Sequence, residues 1–214
     1  MGKRKYRKDL ETISFIRLAI LQRARMLRDL SESLVDDIAL FANILVDTIT
    51  HDGNVYIAGN GGSAGDAQHF AAELVGRFGK DRPGLPAIAL TTDTSILTAL
   101  ANDYGYESVF SRQIQAIGRP GDLLIAMTTS GKSQNIIAAI REANAIGMGV
   151  VLMTNNKISA STVVTREGGA GNIIIKVPVP ETGSDYVQEA HMAILHILCG
   201  LIDTAPIEIT MDDT

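Results

Sequence analysis

The sequence contains no tryptophan, and aromatic residues fill only 5% of its 214 positions. Stacking platforms for nucleobases, or exposed aromatic platforms for sugar rings, have little material to be built from. Positive charge is not in excess either: 19 Lys and Arg against 24 Asp and Glu leave a net charge of −5 and a pI near 5.3. Neutralising a nucleic acid needs clustered cations over a whole face, so no nucleic-acid partner is expected. The one basic run, Lys3-Arg4-Lys5-Tyr6-Arg7-Lys8, lies at the extreme N-terminus and reads as a solvated helix start. Cys199 is the sole cysteine, which excludes an internal disulfide, and its neighbours Ile197, Leu198 and Leu201 read as packing in a reducing compartment. No uncharged run reaches membrane-span length, and Asp9, Glu11 and Arg17 interrupt any secretory core behind the basic start. A cytoplasmic protein is expected, one that meets no membrane and holds any sugar ligand by hydrogen bonds and charge.

What is present is apolar material: 46% of the residues are hydrophobic, enough for one sizeable core, so a single domain over 1–214 is expected. Residues 7–50 read as helical. Leu10, Ile13, Ile16, Ile20 and Leu21, then Leu34, Ile38, Phe41, Ile44, Leu45 and Ile49, recur at helical spacing, with Asp29 or Ser31 placed to cap a break. From residue 51 short apolar runs alternate with Gly and polar clusters, each followed by a helical stretch, which predicts β-α-β units around a parallel sheet. Strands are expected at 55–58, 87–90, 123–127, 149–153 and 173–177, nearly continuous in apolar character as strands covered on both faces are. Helices are expected at 64–78, 95–102, 133–145 and 185–202, with a short one near 159–162 and a glycine-rich loop at 165–171. The chain thus divides into a helical segment at 1–50, an α/β core at 51–204 and a tail at 205–214.

Two polar corners interrupt this pattern where a strand gives way to a helix. Gly59-Asn60-Gly61-Gly62-Ser63 follows the first strand, so its backbone amides and the Ser63 hydroxyl converge on a helix N-terminus, a place suited to anions. It is neither a dinucleotide fingerprint nor a Walker loop, and alone it is equally a tight turn. Thr128-Thr129-Ser130-Gly131-Lys132-Ser133 follows the third strand and again opens a helix, with more hydroxyls than capping requires. In an open α/β sheet ligands bind beyond the carboxyl ends of the strands, so two such corners predict one shared phosphate pocket and a phosphorylated sugar. Lys132 is expected to be solvent-exposed.

Titratable residues lie on two of the helices. His69 and Glu73 are about 40° apart on one face, placed to share a proton or a metal, or to be a solvated i,i+4 pair. The last helix carries Asp185, Gln188, His191 and His196. His191 and His196 stand about 140° apart, and Gln188 lies about 12 Å along the axis from His196. At most one of the two histidines faces a given site, and one helix cannot clamp a metal with this set.

Together, Gly59 to Ser63, His69-Phe70-Ala71-Ala72-Glu73-Leu74, the 128–133 corner, Asn102-Asp103-Tyr104-Gly105-Tyr106 and Gln188-Glu189-Ala190-His191 through His196 resemble the phosphoheptose isomerases, the sedoheptulose 7-phosphate isomerases of the sugar-isomerase (SIS) family. The likeness runs to about Ile202. It implies a three-layer fold with a five-stranded parallel sheet flanked by helices, and a homotetramer whose active sites lie at subunit interfaces formed by the N-terminal helices. It implies that Ser63, Thr128, Thr129, Ser130 and Ser133, with the Gly61 and Gly62 backbone, hold the phosphate of a seven-carbon sugar. By the same resemblance Asn60, Asp93, Asp185 and Gln188 contact the substrate, and Glu73 and His196 are the acid/base pair. His69, Glu73, Gln188 and His196 match positions that bind one zinc per subunit in some members; no organic cofactor is implied. The chemistry suits these residue types, because moving a carbonyl between C2 and C1 through an enediol needs one base and one acid. The rival is a non-catalytic phosphosugar-binding regulator similar to the DnaA-associating replication protein, which shares the stretches at 59–64 and 86–90. That relative lacks the acid/base pair present here as Glu73 and His196.

Overall fold

Five short apolar runs form a parallel sheet because helices supply cover on both of its faces. The computed structural model describes residues 10–157, 172–178 and 183–205. The strands are β1 (Val55–Gly59), β2 (Ala87–Ala89), β3 (Leu123–Met127), β4 (Gly149–Asn155) and β5 (Asn172–Val177), ordered β2-β1-β3-β4-β5. Val55 is in register with Ala87 on one side and Leu123 on the other, Leu123 with Gly149, and Val151 with Ile173. Every residue of β1 and β3 is buried. Alternate side chains go to opposite faces. Val55, Ile57, Leu123, Ile125 and Met127 pack toward α2 (Val35–Thr50), α3 (Gly62–Val75) and α7 (Ser184–Ile202). Tyr56, Ala58, Leu124 and Ala126 pack toward α4 (Thr94–Tyr104), α5 (Ser111–Ile117) and α6 (Gln134–Ile146). The result is the three-layer α/β arrangement expected from the sequence.

The chain leaves β1 toward β2 and then crosses back to β3 on the other side. The carboxyl ends of β1 and β3 therefore flank the switch point of the topology, where such sheets leave a crevice.

Two expectations need correction. The break between α1 (Leu10–Ser33) and α2 falls at Leu34, and neither Asp29 nor Ser31 caps it. The Ser31 and Ser33 hydroxyls donate back to the carbonyls of Arg28 and Asp29 at 2.7 and 2.6 Å. Leu34 N–H still donates to Leu30 O at 3.0 Å and Ile38 N–H to Leu34 O at 2.9 Å, so the helical path kinks instead of stopping. The second concerns α5 and the 3₁₀ turn Tyr106–Ser108, which the apolar pattern did not signal; α5 has seven residues and buries only Ile114. The expected helix at 159–162, the loop at 165–171, the basic run at 3–8 and the tail from 206 onward lie outside the described residues. Among the described residues no helix is long and apolar enough to cross a membrane.

Candidate active site

Gly61 has φ +55°, a conformation glycine adopts readily, and it lets the chain turn sharply out of β1 into α3. The amides of Ser63 and Ala64 donate to the carbonyls of Asn60 and Gly61 at 3.0 and 3.1 Å. The corner's remaining amides, at Gly61 and Gly62, are the ones left to meet an anion. Gln188 from α7 covers Gly62 so closely that a Cβ there would overlap its side-chain amide. Gln188 Nε2 donates to Asp66 Oδ1 at 3.4 Å. Asp66 is only 5% exposed, and among the described residues its Oδ2 has no partner. Burial raises its carboxyl above the ordinary range, partly offset by the bond from Gln188 and by His69.

The second corner is tied to β4. Thr128 N–H donates to Met153 O at 3.0 Å, and Asn155 Nδ2 donates to Thr129 O at 2.7 Å. Inside the loop the Thr128 and Ser133 hydroxyls are 3.1 Å apart, and Gly131 N–H donates to Thr128 Oγ1 at 3.1 Å. Lys132 N–H donates to Ser130 Oγ at 3.3 Å, while the Lys132 side chain is exposed as expected. The two corners are stitched together by Asn60 and the buried Asn135, whose side-chain amides bond each other twice, at 2.9 and 2.8 Å. Beyond β2, Asp93 caps α4 by accepting from Ile96 N–H at 2.9 Å.

Helices α3 and α7 run parallel along one face of the sheet. Gln188 lies beside Gly62 and Asp66, His196 beside His69, and Asp203 beside Gly79. His69 Nε2 is 2.9 Å from His196 Nε2 and 3.5 Å from Glu73 Oε1, so one imidazole bridges the two residues expected to act as acid and base. Phe78 stacks on His196 with ring centroids 5.6 Å apart. His191 points the other way, fully buried, and burial pushes its imidazole down to about 4. The two histidines part company as their 140° separation requires.

The expected site residues are thus partly assembled. Asn60, Gly61, Gly62, Ser63 and the 128–133 hydroxyls gather at the switch point, with Gln188 over them. His69, Glu73 and His196 gather farther down α3, and Gln188 does not join them. Asp185 is engaged elsewhere: its Oδ2 pairs with Arg23 of α1 at 3.0 Å, and Arg23 also bonds Glu189 and lies 4.7 Å above the Tyr186 ring. Two imidazoles and a carboxylate are a donor set of the type that holds catalytic zinc with one position open. Among the described residues no three His, Cys, Asp or Glu side chains converge as a metal site, and His69 and His196 bond each other. Asp66 and Asn135 went unnoticed in the sequence. Asp66 was findable, since it lies three residues before His69 and seven before Glu73 on one helical face; Asn135 left no signal beyond lying two positions after Ser133.

The SIS domain family matches residues 21–155. The phosphoheptose isomerase of Burkholderia pseudomallei (strain K96243) is 50% identical over 180 residues, 84% of this chain and 86% of that protein. Among solved structures, the phosphoheptose isomerase of Neisseria gonorrhoeae superposes with a TM-score of 0.82 at 35% identity, covering 91% of this chain and 100% of that one. That of Francisella tularensis gives 0.82 at 33% identity, covering 91% and 99%.

Proposed function

The chain belongs to the phosphoheptose isomerase family of SIS-domain proteins, and from that membership we infer that it interconverts sedoheptulose 7-phosphate and D-glycero-D-manno-heptose 7-phosphate. It is a sugar-phosphate isomerase, and the regulator reading is not favoured. The observation that carries the assignment of roles is the meeting of Glu73 and His196 on the His69 imidazole. One of the pair removes a proton from C1 of the ketose while the other delivers one to the C2 oxygen, giving the enediol. Withdrawal of the O1 proton and return of a proton to C2 then give the aldose. Ser63, Thr128, Thr129, Ser130 and Ser133, with the Gly61 and Gly62 amides, hold the phosphate; Asn60 and Asp93 meet the sugar, and Asp185, exposed beside Arg23, joins them by giving up that ion pair.

His69, Glu73 and His196 would hold a zinc ion, one per subunit, which when bound supplies Lewis-acid polarisation of the carbonyl oxygen. Within one chain Gln188 is about 12 Å along α7 from His196, so a fourth ligand from Gln188 would have to come from another subunit. A homotetramer with sites at subunit interfaces is supported by α1, which leaves Leu10, Phe15, Leu18, Ile20 and Leu21 exposed. An apolar groove of about 380 Å³ between α1, α2 and α7 supports it too. The enzyme works in the cytoplasm and feeds the synthesis of bacterial surface heptose.

Turnover of sedoheptulose 7-phosphate, followed by NMR in deuterated water, tests the function. The parent is expected to form an aldoheptose phosphate with solvent deuterium at C2, and Glu73→Gln to lose about 10²-fold or more of that rate. Absence of turnover by the parent would overturn the isomerase function; an unimpaired Glu73→Gln would overturn the role of Glu73.

A further inference from the structure

The amide of Asn60 is held by three hydrogen bonds to two side chains, whose orientation can be worked out donor by donor. The fixed point is a backbone group. Ile136 N–H, which can only donate, meets Asn135 Oδ1 at 3.0 Å. The oxygen of the Asn135 amide is thereby placed, and its Nδ2 must lie on the other side, where it donates to Asn60 Oδ1 at 2.8 Å. Asn60 Nδ2 in turn donates to Asn135 Oδ1 at 2.9 Å. The Tyr106 hydroxyl donates a second bond to Asn60 Oδ1 at 3.1 Å. A primary amide has two acceptor sites on oxygen and two N–H donors. Both acceptor sites of Asn60 are filled and one donor is used. What Asn60 has left for the crevice is a single N–H.

We propose that Asn135 and Tyr106 are positioning residues that lock Asn60 as a donor-only contact, and that its free N–H meets the sugar oxygen on which charge builds in the enediolate. The assignment of that oxygen rests on the isomerase function above. Asn135 is 3% exposed and cannot itself touch substrate. It acts through Asn60, fixing which end of the amide faces the ligand, and it does so from the first turn of α6 across the gap between β1 and β3. A preorganised neutral donor of this kind strengthens as charge develops, so it favours the transition state over the bound substrate. A free amide would turn its oxygen toward sugar hydroxyls part of the time and lose that preference.

Three variants test the lock, measured as kcat and KM for sedoheptulose 7-phosphate and as inhibition by inorganic phosphate. Asn60→Asp keeps size and acceptors but removes the donor, and is expected to lose about 10²-fold in kcat. Asn135→Ala is expected to lose roughly 10-fold to 100-fold, as supporting partners typically do. Tyr106 is 58% exposed, so Tyr106→Phe folds, and it is expected to fall between unity and the Asn135→Ala value, at about 3-fold. In all three KM and phosphate inhibition stay within about 3-fold of the parent. Retained kcat in Asn60→Asp would overturn the donor role, and unchanged kcat in both Asn135→Ala and Tyr106→Phe would overturn the lock. A raised KM with weakened phosphate inhibition at full kcat would move the donor to the phosphate and overturn the sugar-oxygen assignment. An arm free of turnover is NMR of the Asn60 side-chain amide: one proton is expected to exchange slowly with water and the other fast, the contrast vanishing in Asn135→Ala. Equal exchange of both protons in the parent would overturn the lock even if the parent turned over no heptose phosphate.

Discussion

His191 shows how a single buried side chain ties stability to pH. Among the described residues its ring nitrogens and the buried Thr154 hydroxyl meet no partner at good hydrogen-bond geometry, and burial, offset in part by the nearby Thr154 backbone, holds the imidazole at about 4 against an ordinary 6.5. As pH falls below 6.5 the unfolded chain takes up a proton that the folded chain refuses until about 4. Stability is therefore lost across that window, by on the order of 3 kcal/mol, and is unaffected by this group above it. Melting temperature against pH should show the slope, and His191→Gln should flatten it. Cys199 gives a second prediction: fully buried, with its thiol pushed up to about 12, it should resist iodoacetamide in the native protein and react on denaturation. At the proposed zinc donors His69, Glu73 and His196, chelation should abolish activity and zinc restore it; full activity after verified metal removal would make the ion incidental. The residue scale is also where the sequence was least legible. Gly59 to Ser63 and the 128–133 hydroxyls stand out because special residues cluster at a chain reversal. Asn135 does not, because its role comes from a partner 75 positions away; Asp66 shows only by sharing a helical face with His69 and Glu73, its partner Gln188 lying 122 positions away.

At the scale of elements, α3 and α7 are clamped at their far ends by one carboxylate. Asp203, just past α7, accepts from the amides of Gly79 and Lys80 at 2.7 and 2.9 Å and from Arg82 Nε at 3.2 Å. Arg82 in turn donates to the carbonyls of Glu73 and Leu74, closing the end of α3. The Lys80 and Gly79 amides and the Arg82 guanidinium hold the Asp203 carboxyl below its ordinary range, so its contribution is present above that range and fades in acid. Asp203→Ala should lower stability by on the order of 2–3 kcal/mol, read as a melting temperature roughly 5–10 °C lower. It should also loosen the register that puts His196 beside His69. The strands were legible because doubly covered strands have to be apolar throughout, and α7 because it alternates buried and polar faces over five turns. The kink at Leu34 and the short α5 were not, since one depends on how α1 leaves the body and the other buries a single residue.

For the whole molecule, α1 matters most. Its 24 residues make a rod about 36 Å long, yet it buries only Met26 and Leu30 against its own chain. Paired substitutions Phe15→Glu and Ile20→Glu should dissociate the proposed tetramer in light scattering and sharply reduce turnover. An assembly that stayed intact would place the interface elsewhere. A rod fixed at one end only has a further consequence. Short of tertiary contacts, most of α1 owes its helical form to whatever lies against it, so its folding is governed by mass action. On dilution the outer turns of α1 should melt first, lowering helical circular dichroism while the sheet and its two cores persist, so that this enzyme's secondary structure is a function of its own concentration.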